Sequence, residues 1–154
     1  PVRPSFFQDA ADFIKGFADG CHHRKEENVL FSTMSSYGMP VEGGPIGVML
    51  YEHELGRKFT REMRAGAELW AAGEPSGKAD AVAAARNYVL LLKQHIAKED
   101  QILFPMADRV IPSAKHAEVW EAFEKVEHEE TGEGVHEKYL ALAEALEKEV
   151  ASLV

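Results

Sequence analysis

One ten-residue stretch occurs twice in this chain, as HHRKEENVLF at residues 22–31 and as HIAKEDQILF at residues 95–104. Five positions are identical between the two copies, and three more hold chemically similar residues. Each copy lies in a segment whose apolar residues recur with the spacing of an amphipathic helix. The repeat therefore predicts two helices that present the same side chains in the same way.

The core of the repeat is His-x-x-x-Glu, formed by His22 and Glu26 in the first copy and by His95 and Glu99 in the second. Side chains four residues apart lie one above the other on a helix, about 6 Å apart along its axis. An imidazole and a carboxylate placed in this way can reach one metal ion. The carboxylate can also bridge to a second ion supplied by another helix.

Helical periodicity extends well beyond the repeat, in four segments separated by glycine and proline. These segments are residues 5–33, 45–72, 78–109 and 112–153. Pro105 should kink or end the third helix nearby, and Gly132 and Gly134 should kink or break the fourth, where its apolar stripe changes phase. We expect a single all-α domain over residues 1–154, an antiparallel up-down four-helix bundle.

Helix phase indicates which of the repeated side chains are buried. An isolated His-x-x-x-Glu is most often a solvated pair on a helix surface. His95 and Glu99, however, lie in the middle of the apolar stripe of their helix, flanked by Leu92 and Ile102. A buried carboxylate without a partner is costly, and a metal ion is the simplest compensation.

In the first copy the choice of residue is less direct, because two histidines are adjacent. His22 falls at the border of the apolar face and His23 is predicted to point away from it, so His22 is the candidate ligand. The alignment of the two copies favours Glu26 over Glu27.

The remaining histidines differ in their promise as ligands. His53 falls on the core stripe of the second helix, where a histidine is more often a hydrogen-bonded structural residue. If the loop at residues 37–44 reverses the chain, His53 lies at the same height in the bundle as the first His-x-x-x-Glu. In the fourth helix His136 lies near the core side and is a possible ligand, His116 is too far from the others, and His128 is expected to be exposed.

Composition excludes several classes of function. The chain has 154 residues and a net charge of -9, and an acidic chain without a basic patch disfavours nucleic acid and anionic membranes. No apolar run approaches the roughly 20 residues of a membrane span. The lone Cys21 rules out an internal disulfide framework and suits a reducing cytoplasm.

The ordered set of motifs resembles the hemerythrin-like, HHE cation-binding family over nearly the whole chain. The matching residues are His22-x-x-x-Glu26, EHELGR at residues 52–57, His95-x-x-x-Glu99 with ILFP at residues 102–105, and GEGVHEKY at residues 132–139. The resemblance implies a helical bundle with a carboxylate-bridged, oxo- or hydroxo-bridged centre of two iron ions. It also implies that Glu26 and Glu99 bridge the irons and that His22, His53 and His95 are terminal ligands.

The chain departs from that family at its start. Family members of this kind usually begin with a further helix whose ligand His precedes the first His-x-x-x-Glu. We expect either that this helix is missing from the chain or that the fourth helix takes its place, with His136 replacing its histidine.

The implied function is the binding of, or response to, O₂, NO or peroxide at the iron centre, within an apolar lining that includes Phe17, Met49, Leu92 and Ile102. Mixed imidazole and carboxylate ligands suit iron or manganese, and zinc is also compatible. Two alternatives remain open: a di-iron enzyme with peroxidase-like or iron-sulfur-repair activity, and a metal-free helical interaction module.

Overall fold

The computed structural model describes residues 2–132 and 134–152, and the side chains of residues 129–131 lie outside this description. Within these residues the chain forms five helical runs, joined by short connections, and no strand. The all-helical class predicted from the sequence is therefore confirmed.

The first run is unbroken over residues 4–36 but changes its pitch along the way. It consists of α1 (Pro4–Phe13), the π-helical segments π1 (Ile14–His23) and π2 (Glu26–Phe31), and α2 (Ser32–Ser36). Pro4 begins α1, a position where its missing N–H and fixed φ suit the first helical turn. A π-helix has i→i+5 hydrogen bonds and is commonly found at functional sites.

The second and third runs follow the predicted boundaries closely. They are α3 (Pro45–Ala71) and the unbroken succession α4 (Gly77–Lys98), π3 (Glu99–Leu103) and α5 (Phe104–Val110). The helix does not end at Pro105, as one predicted alternative had it. The π-helical segment comes directly before α5, where the proline ring and its missing N–H are accommodated in the first turn.

The predicted fourth helix is two runs. A short 3₁₀ turn (Ser113–Lys115) leads into α6 (His116–Lys125) and π4 (Val126–Thr131), and α7 (Val135–Ala151) follows. Gly132 and Gly134, between them, have φ of 97° and 77°, values that favour glycine. The break therefore falls at the two glycines, as the sequence predicted.

Two apolar clusters form the core, and the repeated motifs lie between them. One cluster includes Leu30, Met49 and Leu103, and the other includes Ala11 and Met63. On the first three runs the His-x-x-x-Glu motifs and His53 fall between members of the two clusters. This order places their polar side chains inside the protein at one level.

Close contacts at glycines hold the helices together. α3 packs along α4 and against α1, while α7 packs against α1. A Cβ atom at Gly66 would lie 2.5 Å from the backbone nitrogen of Ala81, and one at Gly16 would lie 1.9 Å from the ring of Tyr139. The fold thus needs glycine where α3 meets α4, because backbone lies there, whereas at Gly16 the ring of Tyr139 occupies the space beside the glycine. Among the described helices, none has both the length and the apolar character that crossing a membrane requires.

Candidate metal centre

Four buried side chains from three helical runs converge at this level. Their ligand atoms, from Glu26, His53, His95 and Glu99, all lie within 4.8 Å of one another. The Nε2 atom of His53 is 3.2 Å from Oε2 of Glu26, and Nε2 of His95 is 2.8 Å from Oε1 of Glu99. The two Nε2 atoms are 3.2 Å apart. Two imidazoles and two carboxylates therefore face a common point.

The carboxylates at this point lack the partners that burial demands. Both oxygens of Glu26 and Oε1 of Glu99 are buried without a hydrogen bond, although imidazole nitrogens lie within ion-pairing distance. A buried charged group is tolerated when it is paired or coordinates a metal. The donor set, two carboxylates and two imidazoles with unfilled oxygen lone pairs, fits a bound cation.

A second layer of carboxylates fixes the orientation of both imidazoles. Nδ1 of His53 is 2.7 Å from Oε1 of Glu27, and Nδ1 of His95 is 3.0 Å from Oε2 of Glu52. An outer carboxylate of this kind holds the proton on Nδ1, which leaves the Nε2 lone pair for a metal. Glu27 and Glu52 were not predicted in this role, because from the sequence each resembles an ordinary charged residue on a helix surface until the position of its helix is known.

Cationic side chains hold the outer carboxylates in turn. Arg57 donates to Oε1 of Glu27 over 2.8 Å and to Oδ1 of Asp19 over 2.6 Å. Lys98 pairs with Glu52. These contacts tie α3 to the first run and α4 to α3 around the imidazoles. The orientation of the centre is therefore set by an ion-pair network and not by single contacts.

Negative potential dominates the interior of the site. Burial by itself lowers the pKa of His53, but the carboxylates of Glu26 and Glu27 outweigh it and raise that pKa to about 9. For His95 burial likewise lowers the pKa, but the carboxylates of Glu99 and Glu52 outweigh it, and the pKa of His95 is raised. A site that retains protons this strongly attracts cations in general.

Comparison with known proteins agrees with this geometry. The sequence model of the hemerythrin HHE cation binding domain matches residues 2–107. The chain belongs to this family. Uncharacterized proteins of Mycobacterium bovis and of two Mycobacterium tuberculosis strains are each 25% identical over 125 residues. That alignment covers 81% of this chain and 48% of theirs, so the chain spans about half the length of these curated relatives. No solved structure matches it significantly.

In this HHE domain the side chain of His23 points into the core, contrary to the sequence-based prediction. The expectation that His23 points away from the core is wrong, since it is only 6% exposed. Its ring stacks on that of His53 at a centroid distance of 3.9 Å, and its Nδ1 lies 3.4 Å from Asp19. His23, His53 and His95 form a second group that could hold an ion. Burial lowers the pKa of His23, which favours the neutral, metal-binding form.

The cause of this difference is the pitch of π1. The prediction carried the apolar stripe of α1 forward at 100° per residue, the rotation of an α-helix. All of residues 14–23 are π-helical, and a π-helix holds more residues in each turn. The phase accumulated over π1 therefore differs from the extrapolated one, and His23 arrives on the inner face.

His22, the predicted ligand, lies at the edge of the centre with its side chain 50% exposed. Its Nε2 is 3.7 Å from Oε1 of Glu26 and 4.0 Å from Oε1 of Glu99. The two carboxylates thus lie between His22 on one side and the buried imidazoles of His53 and His95 on the other.

The same phase effect corrects one predicted lining residue. Ile102 was expected to flank Glu99 in the apolar lining but is 48% exposed, whereas Leu103 is 1% exposed and belongs to the core. The π-helical segment π3 covers residues 99–103, so the buried position moves on by one residue.

The histidines after residue 110 stay outside the convergent groups. The ring of His136 lies 5.3 Å from that of Phe17, and His136 is in neither group of potential ligands among the described residues. His128 is exposed, as predicted, and lies 3.4 Å from Glu124. Nε2 of His116 is 3.2 Å from the carbonyl oxygen of Ile111. The structure therefore brings together four of the six predicted ligands, places His22 at their periphery and leaves His136 apart.

Proposed function

We propose that this HHE domain holds two metal ions, iron in preference, bridged by Glu26 and Glu99. The observation that carries the proposal is the set of three buried carboxylate oxygens without hydrogen bonds, aimed at converging imidazoles. HHE domains are cation-binding domains, and this cluster is compatible with that property.

Two ions are favoured over one because Glu26 faces two different histidines. Its Oε2 lies 3.2 Å from His53, and its Oε1 lies 3.7 Å from His22. A carboxylate whose two oxygens point to separate nitrogen ligands has the geometry of a bridge between two ions. His53 and His95 would hold one ion, with His23 beside them, and His22 would hold the other.

We propose further that the centre binds O₂, NO or peroxide. Iron held here would bind such ligands and supply the electrons for their reduction. The chain contributes an apolar neighbour, the buried ring of Phe31 stacked against His53, and a point of access beside the half-exposed His22. The outer carboxylates keep the imidazoles oriented while ligands exchange.

A di-iron enzyme is the second candidate, favoured by a cavity that opens beside His22 and Glu26. A metal-free interaction module has less support, since it would leave three buried carboxylate oxygens with ion pairs to imidazoles but without hydrogen bonds. For the finer architecture we propose the antiparallel four-helix bundle of the sequence analysis. The packing of α7 on α1 and of α6 on π2 supports this, because these two helices then lie along the first run in the position of the fourth helix of the bundle.

Metal content is the direct test. The purified protein, reconstituted with ferrous iron under anaerobic conditions, should hold two irons per chain, and Glu99→Gln should reduce this number. Glu62→Gln is the matched control, because Glu62 lies on the exposed side of α3 and pairs with Lys58. His95→Ala should also lose iron. A folded wild-type protein that takes up no iron, or a Glu99→Gln variant that holds as much as wild type, would refute the proposal.

A further inference from the structure

A cavity of about 390 Å³ adjoins the candidate centre on the side of His22. It lies where π2, α5 and α6 meet, and Glu26 and His22 are among the residues that line it. Its walls are largely apolar, with Leu30, Ala107 and Phe123 among them. The cavity therefore places an apolar space beside Glu26, one of the two buried carboxylates.

The size of this cavity exceeds what a diatomic ligand needs. A water molecule, which is about as large as a diatomic, occupies roughly 10–15 Å³ measured in this way. Pockets for small organic ligands measure about 300–1,000 Å³ and combine apolar walls with a few polar groups. The cavity falls within that range, so it has room for a small organic molecule.

The polar groups around the cavity are unequal in what they offer a ligand. Lys25 is paired with Glu127, and His116 contacts the carbonyl oxygen of Ile111. Asp108 also lines the cavity but is exposed to solvent. Glu26, in contrast, is 3% exposed and has two oxygens without a hydrogen bond. The polar end of a ligand is therefore recognised at Glu26, and the rest of the ligand is apolar.

From these observations we infer that the cavity binds a small, largely apolar organic molecule, with a single hydroxyl group directed at Glu26. A hydroxyl suits this position in both states of the centre. It donates to the free carboxylate when no metal is bound, and it presents an oxygen to the cations when they are. The inference rests on the proposed function for its placement beside a metal centre, and it names the class of molecule that centre would act on.

The mouth of the cavity supplies a reporter. Trp120 lines it and is 65% exposed, whereas Trp70 packs against the other apolar cluster. In a Trp70→Phe background, Trp120 is the only tryptophan. Occupation of the cavity should therefore change tryptophan fluorescence in a saturable way.

The probe is 4-(trifluoromethyl)phenol, titrated into the full chain and followed by ¹⁹F NMR and by Trp120 fluorescence. We expect saturable binding, and weaker binding of trifluoromethylbenzene, which lacks the hydroxyl. Ala107→Phe fills the cavity and should abolish binding, and Val119→Phe on α6 is the second filling variant if the first does not fold. Ala85→Phe is the matched control, because Ala85 lines a separate surface groove, and it should leave binding unchanged.

Metal loading separates this inference from the proposed function. In manganese-loaded protein the ¹⁹F relaxation of the bound probe should be faster than in zinc-loaded protein, because manganese is paramagnetic. Probe binding that Ala107→Phe abolishes supports the cavity even if the chain takes up no metal. Absence of saturable binding, or binding that survives both filling variants, overturns the inference even where two irons are bound. Equal binding of the probe with and without its hydroxyl overturns the assignment of the ligand class.

Discussion

The outer carboxylate of Glu27 offers the most discriminating test of how the centre is built. Its Oε1 is 2.7 Å from Nδ1 of His53, and it also accepts from Arg57 over 2.8 Å. Glu27→Gln keeps the shape of the side chain and a hydrogen-bond acceptor for His53 but removes the charge. The variant therefore isolates the electrostatic part of the orientation of His53.

The expected loss follows from the difference between charged and neutral hydrogen bonds. A hydrogen bond to a charged group contributes about 1.5–3 kcal/mol and a neutral one about 0.5–1.5 kcal/mol. Losing the difference, about 1–1.5 kcal/mol, weakens metal binding by roughly tenfold. That value lies at the lower end of the roughly 10–100-fold that such outer carboxylates typically contribute to metal affinity.

Competition against a chromophoric chelator measures this affinity, and elemental analysis measures the number of bound ions, which should not change. Glu54→Gln is the control. Glu54 accepts from the same Arg57 over 2.6 Å, but its side chain is 67% exposed and no hydrogen bond or ion pair joins it to a histidine among the described contacts. Equal affinities of the two variants would refute the orienting role of Glu27. Complete loss of metal in Glu27→Gln would make Glu27 a ligand itself.

Three further outcomes are expected. His22→Ala should lose one of the two ions while His23→Ala loses affinity for the other, as elemental analysis shows; a His22→Ala protein with two ions contradicts the proposed bridge. In metal-free protein the stabilisation from protonated His53 is complete below its unfolded pKa of about 6.5 and is lost as pH rises through about 9. Urea unfolding in the presence of a chelator should show this decline, and His53→Asn should remove it; stability that holds steady in wild type up to pH 10 would count against the raised pKa. Gly66→Ala should destabilise the fold by about 1–3 kcal/mol, since the added Cβ would lie 2.5 Å from the backbone of Ala81, and an unchanged melting temperature would disprove that close approach.

Local sequence was sufficient for the helices and for part of the centre. Proline and glycine at the ends of α3, and the glycines near residue 133, mark boundaries through properties of single residues. His53, His95 and Glu99 lie inside apolar stripes, and a stripe predicts burial wherever the pitch is that of an α-helix. All three are buried in the structure.

The apolar stripes did not predict correctly which residue is buried in two pairs, His22 or His23 and Ile102 or Leu103. Both pairs are separated from the preceding stripe by π-helical turns, whose pitch the pattern of apolar residues did not reveal. The π-helical segments overlap the repeated motifs, so extrapolating the α-helical pitch through them gave the wrong result at His23 and Leu103.

The sequence by itself determined that helices would carry two copies of His-x-x-x-Glu, because the periodicity and the ligand spacing are properties of a contiguous segment. Only the tertiary structure decided that Glu27 and Glu52 would orient the imidazoles of His53 and His95. These two contacts join different helices, so they depend on how far each helix is rotated. Hydrogen bonds act over about 3 Å, and the rotation that brings atoms so close is set by the packing of the whole core.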